Sequence, residues 1–319
     1  MNNGNSKGGE KTCRGNSQIL LKARSLIFEV SCGEMQELLA AAGIPMLVLK
    51  GPHVAATLYE NPADRDYCDL DILVKPEHYL SAALVLIKNG FSLFKVNRRR
   101  LASEKADYQM LLRAPRGVAV ELHRALADRD QFRSDVHGFF QRAQEFAFGE
   151  VKVRGLGNED LLLHLCLHFG KRHFMTSEKK HLVDIALLLK KKNIAWPVFL
   201  ERTRRSRCRT VAYYCLNAAA QQHGSELPAQ VLASLRPMSW RKRFLDTFLD
   251  PASFPLYRLQ DARPGWRERT VNLLLLDRLS TMIFSGIRFG GRSAMNLLLR
   301  AGALRRLWMK GNPLAEWME

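Results

Sequence analysis

The sequence predicts an α+β chain: a small mixed β-sheet domain with flanking helices, followed by a helical domain. Two observations carry that expectation. Short apolar, β-branched runs bounded by Gly, Pro and Asn punctuate the chain as far as about Asp128. Beyond it the strand signals stop and apolar residues recur at helical spacing. The expected divisions are a disordered leader over 1–17, the sheet domain over 18–150, and a helical domain over 151–319 that ends in basic amphipathic helices.

The leader, "MNNGNSKGGEKTCRGNS", is polar and Gly/Asn-rich and has no apolar segment of a signal peptide. From Gln18 to Ala42 the apolar spacing is helical, and "AAGIP" closes the run. "IPMLVLK" (44–50) reads as a buried strand that ends at Gly51-Pro52, "HVAATLYE" as a short helix and "NPADRDY" as a loop. "DLDILVK" (69–75) is the second strand, with Pro76 in the first turn of a helix that reaches about Asn89. "FSLFKV", "DYQMLLR" and "VAVELHR" read as three more strands, the last two joined by a tight turn at "APRG". The helices then begin with "NEDLLLHLCLHFGKRHF", for which Asn158 is the expected N-cap. "KKHLVDIALLLKKK", "WPVFLERTRRS", "CRTVAYYCLNAAAQQH" and "PAQVLASL" follow in the same period.

Of 319 residues, 49 are Lys or Arg and 31 Asp or Glu, a net charge of +18. That surplus suits a polyanion: nucleotide phosphates, nucleic acid or an anionic membrane. A basic solvated face is the bland alternative. Runs such as "RTRRSRCR" lack the interleaved aromatics of a nucleic-acid groove, so nucleic acid is not favoured. The C-terminal stretch from Trp266 mixes Leu, Ile and Trp with Arg but has no strict polar face, so peripheral membrane contact is not favoured either. No spanning helix is expected, because no stretch approaches about 18 uninterrupted apolar residues. Six cysteines without a C-x-x-C pair argue against a zinc ribbon or disulfide framework and for reduced thiols in a cytoplasmic protein.

The chemistry concentrates at "DLD". Residues two apart on a strand share a face, so Asp69 and Asp71 point the same way and repel unless a cation stands between them. Alone, D-x-D is common at strand ends. Here a strand ending in Lys50-Gly51 lies upstream, where backbone N–H groups and Lys50 can approach phosphates. Downstream, Glu121 has the alternation to face the same side as a third carboxylate. Three converging carboxylates call for hard divalent ions, Mg²⁺ (or Mn²⁺), in a two-ion site. His123 shares the face of Glu121, either orienting an acceptor or a carboxylate or simply capping the strand; Lys75 shares the face of Asp71, either neutralising the acids or lying outward. His164 and His168 sit one helical turn apart, with His173 five further on and Asp184 on the next helix. Their spacing allows zinc, but no glutamate lies between them. Hydrogen bonding at a helix contact and lining of a cleft are the other readings.

In these residues the chain resembles the uncharacterised nucleotidyltransferase family of the polymerase-beta-like superfamily. The resemblance runs from "VLKGPHVAATLYENPADRDYCDLDILVKPEHYL" through "VAVELHR" to "NEDLLLHLCLHFGKRHF" and "HLVDIALLL", roughly residues 20–220. It implies a nucleotidyltransferase-type sheet and transfer of a nucleoside monophosphate from an NTP to a hydroxyl of a small molecule, peptide or protein. Asp69 and Asp71 would hold metal, with Glu121 as third ligand and base. Lys50 and Gly51 would line the triphosphate, and Arg65 would meet a phosphate. The chain departs from the superfamily at Gly51-Pro52, where a Gly-Ser or Gly-Gly pair is usual; Pro52 offers neither hydroxyl nor N–H. That departure keeps an alternative in view, a non-catalytic regulator or adaptor on the same fold.

Overall fold

The structure is a computed structural model that describes residues 7–93, 108–170, 179–253 and 271–277. Its strands are β1 (Met46–Val48), β2 (Asp69–Val74), β3 (Ser92–Leu93), β4 (Gln109–Arg113), β5 (Ala119–His123), β6 (Gln144–Phe148) and β7 (Val151–Gly155). They form one mixed sheet in the order β3-β4-β5-β2-β1-β7-β6. The helices α1 (Lys7–Ala41), α2 (Pro52–Leu58), α3 (Tyr79–Lys88) and α4 (Val136–Gln141) intersperse the strands. Then come α5 (Asn158–His168), α6 (Lys180–Lys191), α7 (Trp196–Ser206), α8 (Arg209–His223), α9 (Ala229–Leu235) and α10 (Ser239–Leu245). The α+β class holds.

The two faces of the sheet differ because β2 alternates two chemistries. Leu70, Ile72 and Val74 point to one side and are fully buried, joined by Val120 and Leu122 of β5. Phe28, Met35 and Leu39 of α1 and Ala82 and Leu86 of α3 cover them. The opposite face carries the acids near one end and Leu47, Leu49 and Leu73 elsewhere. These leucines share a core with Leu161, Leu162 and Leu165 of α5 and with α8. The helical part is therefore fastened to the sheet by common apolar packing. At about 25 cal/mol per Å² of buried apolar surface, every fully buried leucine in that seam contributes about 2 kcal/mol.

Three local expectations change. Helix α1 begins at Lys7, inside the stretch read as a leader. The strand signals do not stop near Asp128: β6 and β7 form a hairpin, and β7 joins β1 in parallel at Val48 and Gly155. Its period-two pattern hides behind Gln144, Glu145, Lys152 and Arg154, which face solvent on an edge ribbon. Asn158 is the first helical residue rather than the cap; Gly157 takes the cap position, and the Asn158 amide donates to the Asn193 carbonyl at 3.4 Å. The β4–β5 turn is where "APRG" places it. Ala114 N–H donates to Val118 O at 2.8 Å, and Gly117 takes φ +83°, a conformation glycine accepts freely.

Candidate active site

Strand pairing assembles the site. β2 and β5 run parallel with Asp71 opposite Glu121 and Leu73 opposite His123. One face of this central pair thus carries Asp69, Asp71, Glu121 and His123. Leu49 N–H donates to Asp71 O at 2.9 Å, which brings the next residue, Lys50, to the acids. Gly51 then turns the chain with φ +60° and ψ −103°, and Pro52 opens α2 with its fixed φ. A Cβ on Gly51 would meet Tyr67 Cβ at 3.4 Å.

Asp71 is the hub. Its Oδ2 lies 2.7 Å from Lys50 Nζ, and its Oδ1 lies 3.2 Å from His123 Nε2. Lys50 Nζ also stands 3.9 Å from Asp69 Oδ1, and His123 Nε2 stands 3.4 Å from Glu121 Oε2. Asp71 is fully buried, whereas the Asp69 and Glu121 side chains keep 25% and 15% exposure, so the two outer acids flank a buried centre. Burial pushes Asp71 up, but Lys50 and His123 outweigh it and hold the carboxyl well below its usual range. Burial and the neighbouring Asp71 push Asp69 up to about 6, against the pull of Lys50. For Lys50 and His123 burial pulls down, yet the acids overcome it and raise both bases. One carboxylate is firmly ionised and its neighbour is held near titration, an uneven pair of the kind found at working sites.

The family model described as an uncharacterised nucleotidyltransferase matches residues 16–223. The chain belongs to that family. It is a nucleotidyltransferase, and its D-x-D strand and Glu121 lie inside the matched span. Among solved structures, it is similar to the antibiotic-resistance factor ANT(2'')-Ia at 15% identity and a TM-score of 0.40, over 55% of this chain and 89% of that one. The lincosamide antibiotic adenylyltransferase LnuA, solved with lincomycin, is similar at 16% identity and a TM-score of 0.34, over 50% and 95%. An antigenic nucleotidyltransferase-like protein from Paracoccidioides brasiliensis reaches 16% and 0.39, over 66% and 92%. A comparison with curated proteins finds no match.

The donor set fits a divalent metal. Carboxylate oxygens of Asp71 and Glu121 and a His123 ring nitrogen all lie within 4.8 Å of one another. The Lys50 ammonium, close to both Asp71 and Asp69, stands where a cation is called for. It is Lys50, not Lys75, that neutralises the acids: Lys75 Nζ sits 5.8 Å over the Phe140 ring.

The helices bring several buried imidazoles together. His164 on α5 is buried, and neither ring nitrogen has a hydrogen-bond partner among the described residues. Burial pulls it down to about 3, and nearby Lys50 adds to the depression while Asp71 opposes it. His168, one turn on, is likewise held well below its ordinary value by burial. Its ring meets His181 of α6 edge-on, with centroids 4.8 Å apart. His173 lies outside the described residues. His53, buried against Phe146 at 4.5 Å, and His181 join this group. A single sequence leaves both unnoticed; a helical wheel of α6, which sets His181 beside Asp184, is the one signal that points to the second.

Asp184 is committed to a different part of the chain. It takes Arg65, with Nε–Oδ1 at 2.8 Å and Nη2–Oδ2 at 2.7 Å, and the Tyr59 hydroxyl at 2.8 Å. The fork expected at a phosphate is engaged within the protein, clamping the loop ahead of β2 onto α6. Among the described residues no helix is long and apolar enough to cross a membrane, and most of the basic C-terminal stretch lies outside them.

Proposed function

We propose that this nucleotidyltransferase is metal-dependent and moves a nucleoside monophosphate from an NTP to a hydroxyl of a small molecule, peptide or protein. The observation that supports it is the convergence of Asp69, Asp71 and Glu121 on one strand face beside Lys50. Asp69, Asp71 and Glu121 hold the metal, Mg²⁺ or Mn²⁺ in a two-ion site, which supplies charge for the phosphates and lowers the pKa of the attacking hydroxyl. Lys50 gives up its contact with Asp69 to pair with the triphosphate, while Asp71 keeps it oriented. Gly51 lets the backbone approach the phosphates, and Glu121 accepts the acceptor's proton from the open side of the site. His123, His164 and His168 face the acceptor in this reading. The arrangement leaves Arg65 as the element that fixes the D-x-D approach loop, with phosphate contact requiring release from Asp184.

A cytoplasmic setting belongs to this reading: Cys32, Cys68, Cys166, Cys208 and Cys215 are free thiols, and NTP is an intracellular substrate. Calorimetric titration of Mg·NTP tests the site, with Asp69→Asn and Asp71→Asn expected to bind far more weakly than the native chain. Equal binding by all three removes the assignment. Sustained pyrophosphate release from labelled NTP with an acceptor mixture separates an enzyme from an adaptor that only binds.

A further inference from the structure

Asp71 divides its two oxygens between two unlike settings. Oδ2 faces the Lys50 ammonium and, beyond it, Asp69, an all-oxygen pair of donors. Oδ1 faces His123, and the same His123 nitrogen also reaches Glu121. Adjacent donors in an octahedral shell about 2.1 Å from an ion lie about 3 Å apart. His123 Nε2 stands 3.2 Å from Asp71 Oδ1 and 3.4 Å from Glu121 Oε2, close to that spacing before any ion is considered. The ring is buried, and Nδ1 has no hydrogen-bond partner among the described residues, so Nε2 is the nitrogen with polar work to do. Like charges on Asp71 and Glu121 and the shared approach of one imidazole make a three-donor pocket rather than a simple pair.

We infer that His123 is a metal ligand, forming with Asp71 and Glu121 a nitrogen-containing position that prefers Mn²⁺ to Mg²⁺. The inference rests on the proposed metal-dependent function and says which ion one position selects. Mg²⁺ takes oxygen donors almost exclusively, whereas imidazole suits first-row transition ions; a single nitrogen among carboxylates therefore tilts the choice. Asp69 and Asp71 on the Lys50 side lack such a nitrogen and keep the preference of an oxygen site.

The test uses the full chain and Mn²⁺ alone, read by pulsed electron paramagnetic resonance. Bound Mn²⁺ is expected to show electron-spin-echo modulation from one imidazole nitrogen, and Mg²⁺ is expected to displace it only at about tenfold excess or more. In His123→Gln, which keeps a polar side chain beside the acids, the modulation disappears and Mn²⁺ affinity falls about tenfold or more, as losses around metal ligands do. His164→Gln keeps the modulation. Mn²⁺ that binds the native chain without nitrogen modulation overturns the inference and leaves the carboxylate site standing. Modulation that survives in His123→Gln also overturns it. A native chain that binds no Mn²⁺ and no Mg·NTP overturns the functional reading together with this one, so the two failures are distinct.

Discussion

Two buried acids, Asp71 and Asp184, sit in comparable burial and opposite states of completion. Asp184 is closed: the Arg65 fork takes both oxygens, Tyr59 adds a hydroxyl, and the clamp ties the loop before β2 to α6. Asp71 is open: three carboxylates gather around Lys50 and His123, and Asp69 is held near titration. Around it His123 and His164 keep buried nitrogens that have no hydrogen-bond partner among the described residues. The first arrangement has nothing left to bind. The second still holds buried groups that no neighbour among the described residues completes. A buried acid is thus informative through what remains unsatisfied around it, not through burial itself.

Breaking each acid separates the two roles, and these are the largest effects. Asp71→Asn is expected to lower pyrophosphate release by about a thousandfold, the scale of losing one group that stabilises transition-state charge. Its urea midpoint should move less than that of Asp184→Ala. Removing Asp184 leaves the Arg65 guanidinium buried without its counter-ion and is expected to cost about 3–5 kcal/mol in urea unfolding. Replacing both partners, Arg65→Met with Asp184→Leu, should recover most of that loss. The double variant also examines the phosphate role for Arg65. If Mg·NTP affinity stays native, the clamp is structural; a large loss of affinity at native stability returns Arg65 to the nucleotide.

Acid stability sharpens the comparison at the next scale. His53 and His164 are pulled down to about 4 and about 3 by burial. Their folded values lie below the unfolded value near 6.5, so the stability they allow is complete above that pH and is lost as pH falls towards 4. The cost is about 2 kcal/mol per histidine at about pH 5. Asp69 has the opposite sign. Its folded value is raised to about 6, so its contribution is fullest below 3.8 and is lost as pH rises through 6. Asp69→Asn removes the second dependence and spares the first. The variant should be more stable than the native chain above about pH 6, by on the order of 1–2 kcal/mol, allowing for its partial exposure, and should lose stability more steeply on acidification. Denaturant midpoints at several pH values read this directly. Parallel profiles for the two proteins would mean that Asp69 carries no excess charge strain.

How much of this was legible in the sequence follows from what each signal depends on. Asp69, Asp71 and Glu121 could be set on one face because period-two alternation is local, and a parallel register between two strands preserves it. The β6–β7 hairpin was not legible, because it lies at the sheet edge, where exposed Gln, Glu, Lys and Arg blur the apolar alternation. Lys50 could be singled out from its Gly neighbour, but its hold on Asp71 depends on β1 and β2 pairing antiparallel, which one sequence does not encode. The partner of Arg65 lies 119 residues away on α6, and no short-range pattern reaches that far. His53 and His181 join the buried imidazoles only once α2, α5 and α6 pack together.

Two glycines give the smallest and cleanest contrast. Both have positive φ, but Gly117 sits at +83° in an open hairpin turn, where among the described residues nothing beyond its chain neighbours lies within 4 Å of where a Cβ would stand. Gly51 instead couples φ +60° to ψ −103° beside Tyr67. Alanine at Gly117 is expected to cost about 1 kcal/mol, the ordinary conformational penalty, with Mg·NTP binding unchanged. Alanine at Gly51 should cost more, about 1–3 kcal/mol, because its φ,ψ pair lies outside the left-handed well that other residues can enter. It should also weaken Mg·NTP binding, since relief of that strain moves Lys50 relative to Asp71. Urea midpoints and calorimetry on the two variants measure both effects. Equal losses of nucleotide affinity at Gly51 and Gly117 would show that the turn after Lys50 has no special part in the site, and would leave the carboxylate face as its whole content.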